Sequence, residues 1–418
     1  AIMHQELVAK RRWLSERRFL HALNYCMLLP GPEAQQLAIY CGWLLHRSLG
    51  GVVAGLLFIL PSLLILMALS WVYVAFGEVS WVAGVFYGIK PAVTAIVLQA
   101  AHRIGLRALK NKLLWALAGL SFLAIFVLQL PFPAIVAGAA VIGFLGGRFK
   151  PEQFKTGAGH GSADKSYGAA LIDDDSPRLA HTRFRWPRLM TLIVIGLLLW
   201  AVPMTVLTVQ FGWQHALTQM GWFFTKAALL TFGGAYAVLP YVYQGAVEHY
   251  HWLLPQQMID GLALGETTPG PLIMVVTFVG FVAGCAQTLF GPEHLFLAGV
   301  AAATLVTYFT FLPSFIFILA GGPLVESTHG NLSFTAPLTA ITAAVVGVIF
   351  NLALFFAWHV FWPQGFAGAF DPVAAGICLL ALLALFRYKF GVISVISCAG
   401  AIGLLLAFVK PWLVQQGF

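Results

Sequence analysis

Long apolar runs, separated by short polar or Gly/Pro-rich breaks, set the pattern of this chain. The first run covers residues 15–47 and is interrupted by Leu29-Pro30-Gly31-Pro32. Runs follow at about 50–76, 80–102, 113–130 and 132–147. Each approaches the roughly 20 apolar residues that a bilayer-spanning helix needs. Residues 148–188 then turn polar, with glycines, serines, the run Asp173-Asp174-Asp175 and eight Lys/Arg. Apolar runs resume near 189–210, 216–248, 256–288, 294–320, 335–362, 371–386 and 391–409. They are continuous rather than alternating, and too long for barrel strands, which excludes a closed β-barrel. The pattern predicts an all-α polytopic membrane protein. It divides into an N-terminal unit at 1–147, a polar cytoplasmic linker at 148–188, a linking transmembrane helix at 189–210 and a C-terminal unit at 211–418.

Composition narrows the function classes. Of 418 residues, 60% are hydrophobic and 9% are charged. A soluble domain carries about 25% charged residues, so this chain cannot cover a water-facing surface. A soluble enzyme, a nucleic-acid-binding module and a disordered protein are excluded. The net charge of +8 fits basic residues gathered on the cytoplasmic side of a membrane protein. No basic stripe with interleaved aromatics points to a nucleic-acid partner. Cys26, Cys41, Cys285, Cys378 and Cys398 lack paired spacing and read as packing residues. There is no Walker A loop, no GxGxxG after a strand, and no CxxC or CxxCH. No catalytic residue, metal or cofactor is assigned.

The two halves resemble each other. Placing Trp13 on Trp252, an offset of 239, lays residues 13–32 over 252–271 without a gap. The tryptophan, leucines and closing Pro-Gly-Pro coincide. After an insertion, ILPSLLI (59–65) matches FLPSFIF (311–317), and the segment at Pro91 resembles that at Pro337. Internal repeats are a common construction of secondary transporters. The second half also carries Thr231-Phe232-Gly233-Gly234, whose counterpart at this offset would precede residue 1. A preceding segment with a similar break is therefore expected. Two topologies compete. Full crossings at both Pro-Gly-Pro segments give thirteen spans and inverted repeats. Re-entrant hairpins improve the segregation of basic residues but make the repeats parallel. Transporter symmetry favours the thirteen inverted spans.

Pro-Gly-Pro within an apolar run breaks a helix. Non-helical backbone at membrane depth persists where it is buried in protein or lines a watery cavity. Residues 29–36 and 265–271 thus read as ends of broken helices meeting near the midplane, with new helices beginning at Glu33 and Leu272. Free N–H groups at such starts attract anions. Gln35 and Gln36 add amide donors, and Thr267 and Thr268 add hydroxyls. Phe232-Gly233-Gly234 is a third break. Proline kinks that only shape the bundle are the plain alternative. Glu33 and Glu266 are candidate proton-coupling groups, and Lys90 and Lys226 candidate anion attractors. An internal ion pair or snorkelling to the interface would explain the same residues. Asp260 reads as a pathway residue or an interfacial one. Arg11, Arg12, Arg17 and Arg18 read as topology determinants.

LPGPEAQQLAIYCGWLLHRSLGG (29–51), TFGGAYAVLPYV (231–242) and LALGETTPGPLIMVVTFVGF (262–281) together resemble the chromate ion transporter family, in its long-chain branch. The resemblance implies a multi-pass protein of the bacterial inner membrane that exports chromate and confers chromate resistance. Sulfate, also a tetrahedral dianion, is the natural competitor. The family motif positions here are Pro30, Gly31, Pro32, Glu33, Gln35 and Gln36; Phe232, Gly233 and Gly234; and Glu266, Thr267, Thr268, Pro269, Gly270 and Pro271. The lipid bilayer is the implied partner, with a homodimer left open. Transport of another anion and a membrane-bound oxidoreductase remain the alternatives, the latter lacking bis-His pairs, a flavin motif or redox cysteines.

Overall fold

The computed structural model describes residues 2–154, 168, 170–173, 180–232, 234–327 and 335–415. Among these there is no strand. A short N-terminal helix, α1 (Ile2–His4), runs into a π-helical turn at Gln5–Lys10. The first half continues with α2 (Glu16–Leu28), α3 (Glu33–Phe76), α4 (Ser80–Ala108), α5 (Lys112–Phe126), α6 (Phe132–Phe149) and the short α7 (Pro151–Phe154). Next, α8 (Trp186–Phe211) leads to α9 (Ala216–Leu229), α10 (Ala235–Tyr243), α11 (Pro255–Thr267) and α12 (Val275–Ala286). The chain ends with α13 (Leu295–Ser327), α14 (Thr335–Phe361), α15 (Pro372–Phe386) and α16 (Val392–Gln415). Seven of the described helices are long and apolar enough to cross a membrane. Leucines, valines and phenylalanines stay exposed along α8 and on the outer faces of α3 and α16. That is the surface expected where the solvent is lipid.

Local chemistry sets the helix ends. Ser15, Asn111 and Asp371 accept from the backbone N–H of Arg18, Leu114 and Ala374, capping α2, α5 and α15. Pro255 and Pro372 occupy first turns, where no N–H is needed.

The full crossings expected at Pro-Gly-Pro do not occur. In a broken but straight helix, Tyr25 and Tyr40 would lie about 22 Å apart at 1.5 Å per residue. Their ring centroids are 6.3 Å apart. The chain folds back at Leu29–Pro32, so α2 and residues 33–45 form a hairpin. Both its ends adjoin the polar linker: Leu171 N bonds Arg12 O at 2.9 Å, and His181 Nε2 lies 3.1 Å from Trp43 O. The chain reverses again at His46–Arg47, where Arg47 has φ of 58°. There the helix from 48 to 76 packs so closely on 33–45 that a Cβ on Gly42 would strike the Gly50 carbonyl. The second half repeats the plan. A Cβ on Gly261 would strike the Phe278 ring, which places α11 antiparallel to α12. Gly284 likewise abuts Ala298, folding α12 against α13.

A second correction restores the polarity. Residues 216–248, read as one span, also fold back. Phe223 of α9 stacks on Tyr241 at 4.8 Å and abuts Gly245, so α9 and α10 form a hairpin turning at 230–234. The α5–α6 pair returns too, because Asn111 Nδ2 bonds Gln153 O at 2.7 Å. Connectivity therefore brings the chain into α2 from the linker end and into α11 from the opposite end. Hairpins and opposed halves are compatible once the third break is counted. The basic groups at 10–18, Arg47 and 103–112 all fall at the linker end. Arg387 and Lys389 join them, since Phe386 contacts His102.

Backbone detail recurs at the offset of 239. The π turn at Gln5–Lys10 matches one at Gln244–His249. Trp13 N bonds Leu7 O at 2.8 Å as Trp252 N bonds Ala246 O at 2.7 Å. Arg12 and His251 share a φ of 52°.

In a variant lacking native cysteines, single cysteines at Arg12 and Arg47 should react with an impermeant thiol reagent from one face of the membrane. Cysteines at Leu254 and Gln287 should react from the other. Labelling of positions 12 and 47 from opposite faces would contradict the hairpin.

Candidate functional site

Three breaks in helical structure converge. The first is the tip Pro30-Gly31-Pro32. Gly31 adopts φ of 124°, a conformation that glycine alone takes without strain. Its N–H donates to Thr231 O at 2.7 Å, joining this tip to the α9–α10 break. Gln36 Nε2 donates to Pro30 O at 2.7 Å and to Ser314 Oγ at 3.3 Å, tying the tip to α13. The second tip is Pro269-Gly270-Pro271, where Gly270 has φ of 138°. Ser62 of α3 donates to Pro269 O. Thr267 and Thr268 turn their hydroxyls back onto Leu264 O and Gly265 O, at 2.9 and 3.1 Å, and so close the end of α11. Glu266 accepts from Tyr236, two residues past Gly234 at the start of α10. The third break thus touches both tips, through Thr231 and through Tyr236.

Ser62 and Ser314 are the matched serines of ILPSLLI and FLPSFIF. Each tip is seated on the Leu-Pro-Ser segment of the other half. Pro61 and Pro313 each remove a donor inside a long helix and disrupt its hydrogen-bond ladder there. A Cβ on Gly31 would meet Ser314 Oγ, and one on Gly270 would meet Ser62 Oγ. Glycine is required at both tips by conformation and by space.

Polar groups remain open around the first tip. The first-turn amides of residues 33–45 have no intrahelical acceptor, and Pro32 supplies no cap. Gln35 is fully buried, yet among the described residues neither its Nε2 nor its Oε1 has a hydrogen-bond partner, and Gln36 Oε1 has none either. A buried primary amide without partners costs about 1–3 kcal/mol, and native structures keep few of them. Glu33 is half-buried and forms no side-chain hydrogen bond or ion pair among the described residues. Pro271 heads the short 3-10 turn Leu272–Met274 that leads into α12.

The other predicted residues are placed differently. Phe232 is half-buried against the core, Gly234 begins α10 with φ of 100°, and Gly233 lies outside the described residues. Lys90 is away from the tips. Its Nζ lies 3.3 Å from Asp260 Oδ2, about 9 Å of helix rise from Glu266. Lys226 sits over the Trp222 ring, 5.6 Å from its centroid, on the side of α9 that faces α8. Asp260 is 2% exposed and is not interfacial. Sequence reasoning missed Ser62, Ser314, Thr231 and Tyr236. The recurrence of Leu-Pro-Ser was the available signal, and it served only to align the halves. Arg103, read as a topology signal, lies within electrostatic reach of Glu266 and Tyr236. Among the described residues no group of acidic, histidine or cysteine side chains could hold a metal ion.

Comparison with known proteins places this arrangement. A family model described as Chromate transporter matches residues 1–144 and 218–404. The chromate transport protein of Pseudomonas aeruginosa is 33% identical over 416 residues, covering 97% of this chain and 86% of that protein. The chromate transport protein of Cupriavidus metallidurans is 30% identical over 352 residues, covering 83% and 74%. A probable chromate transport protein of Synechococcus elongatus is 27% identical over 349 residues, covering 83% and 76%. No solved structure matches the chain.

Gly31→Ala and Gly270→Ala should each lower stability by about 1–3 kcal/mol, read as a lower midpoint of thermal unfolding in detergent. Gly119→Ala, with open space around it and an ordinary helical backbone, should leave the midpoint unchanged or slightly higher. Equal losses at all three positions would contradict the tip geometry.

Proposed function

The chain belongs to the chromate transporter family, and we propose that it is a secondary transporter carrying chromate outward across the bacterial inner membrane, with the anion held between the two Pro-Gly-Pro tips. The observation that carries this reading is the buried, unpartnered Gln35 amide beside the uncapped helix start at Glu33. Around it the site offers the Ser314 hydroxyl, which accepts from Gln36 and keeps its own proton, and the backbone amides at the start of the Leu272 turn, while Gln36 Nε2 and Ser62 are engaged in holding the tips. Thr267 and Thr268 shape the second tip rather than donating into it.

Neutral donors suit a transported dianion. A helix start contributes about 0.3–1 kcal/mol toward an anion, and up to about 2 kcal/mol where partly buried. Two such starts and a few amides give binding strong enough to replace water and weak enough to release. A lysine at the tips would hold a dianion harder, and the structure keeps Lys90 and Lys226 elsewhere. Glu33 and Glu266 oppose the anion unless protonated, which links occupancy to protons. Arg103 partly offsets Glu266. With the basic linker end in the cytoplasm, export is electrically downhill by about 2.3 kcal/mol per charge per 100 mV. Chromate resistance follows from export. Sulfate has the same shape and charge and competes at the same donors.

Everted vesicles containing the chain should accumulate labelled chromate faster than empty-vector vesicles, with the tetrahedral dianions sulfate and molybdate inhibiting more than phosphate. Gln35→Ala should cut the initial rate about tenfold or more, the loss of one hydrogen bond to a charged ligand. A wild-type rate in Gln35→Ala would remove the tip site. Glu33→Gln and Glu266→Gln should shift the pH profile of transport, and identical profiles from about pH 5.5 to about pH 8 would remove both from proton coupling.

A further inference from the structure

Two clusters of the same composition lie at opposite ends of the bundle, outside the tips. At the end opposite the linker, Asp260 Oδ2 accepts from Tyr73 OH at 3.0 Å and from Lys90 Nζ at 3.3 Å. At the linker end, Glu326 accepts from Tyr40 OH at 2.5 Å and pairs with Arg18 Nη1 at 3.7 Å. Each is one carboxylate, one cation and one tyrosine hydroxyl. Each ties an arm of one hairpin to the far end of the other half's long helix. Arg18 on α2 and Tyr40 on the return arm meet the end of α13. Asp260 on α11 meets Tyr73 at the end of α3 and Lys90 on α4. Both are largely shielded: the Asp260 side chain is 3% exposed, and those of Arg18 and Glu326 are 17% and 12%.

The surroundings suggest traffic. A cavity of about 920 Å³ is lined by Ser80, Tyr87, Gln256, His359 and Asp371, and Lys90 also lines it. Tyr87 OH donates to both Asp371 oxygens, at 2.9 and 2.8 Å, leaving that carboxylate satisfied. Asp260 Oδ1 has no partner among the described residues, so the Asp260 cluster is the less complete of the two carboxylate sites lying near this cavity. At the linker end, Tyr25 OH bonds Phe317 O at 3.3 Å, so the same hairpin also leans on α13.

We propose that these two clusters are the gates of alternating access, each holding one hairpin arm against the opposite half. Opening the Asp260 cluster exposes the tips to the end opposite the linker. Opening the Glu326 cluster exposes them to the linker end. Lys90 is then a positioning residue whose charge is neutralised by Asp260 until a passing dianion competes for it. An ion pair suits this task because its two members separate as a unit and the exposed cation meets the anion as it leaves. The proposal rests on the reading that the tips hold the anion.

The test uses the full chain in everted and right-side-out vesicles, without native cysteines and with a reporter cysteine at Ala34, exposed at the first tip. An impermeant maleimide reads its labelling rate from each face. Asp260→Asn should raise labelling at least about fivefold from the face opposite the linker and leave the linker face unchanged. Glu326→Gln should do the reverse. The charge exchange of Lys90→Asp with Asp260→Lys should return labelling toward the parent rate. If either neutral variant fails to reach the membrane, Tyr73→Phe and Tyr40→Phe keep the charges and are read in the same way. Equal change from both faces, or no change from either, would overturn the gates. The readout needs no chromate, so a one-sided shift in a chain with no chromate uptake would keep the gates and overturn the tip site.

Discussion

The structure depends on reciprocal seating: each Pro-Gly-Pro tip rests on the Leu-Pro-Ser segment of the other half. Backbone at a hairpin tip has exposed N–H and C=O groups, and in a bilayer each unsatisfied group costs several kcal/mol. Each tip takes at least one bond from the other half, Gly31 N–H donating to Thr231 O and Pro269 O accepting from Ser62. Ser62 reaches Pro269 O from one half, while Gln36 links Pro30 O to Ser314 from the other. The proline one residue earlier in each long helix disrupts the ladder where the tip must fit. Glycine at positions 31 and 270 lets the tips approach. The halves are therefore bound at their centres, where no lipid reaches, and can differ at their ends.

That constraint explains the division of labour among polar residues. Groups that hold the fold are paired, as are the threonine hydroxyls of α11 and the tyrosine on Glu266. The Gln35 amide, which we propose faces the anion, has no partner among the described residues. A transporter that satisfied every donor in its resting structure would have nothing to offer its substrate. One that left a cation free at its centre would bind a dianion too firmly to release it. Placing Lys90 against Asp260, away from the tips, serves both needs.

Much of this was legible from residues alone. Continuous apolar runs gave the helical membrane class. The motif strings led to the family. The offset of 239 placed the two tips in register, down to the matching π turns. Three things were not legible. Whether a broken segment crosses or folds back depends on contacts such as Tyr25 with Tyr40, which spacing cannot reveal. The run at 216–248 was read as one span with a break at Phe232-Gly233-Gly234, and spacing does not show that the chain reverses there, so the polarity of the second half was hidden. Asp260 read equally as a pathway residue or an interfacial one, and it is Tyr73 and Lys90, far away in sequence, that enclose it. In each case a partner from the other half decides the outcome.

Reciprocal seating is tested most directly by cross-linking in a chain without native cysteines. Cysteines at Ser62 and Pro269 form one pair across the halves, and cysteines at Ser314 and Pro30 form the other. Both pairs should form intramolecular disulfides on mild oxidation, and chromate should slow them by occupying the tips. Disulfides between Ser62→Cys and Pro30→Cys, or between Ser314→Cys and Pro269→Cys, in place of the cross-half pairs would contradict the account.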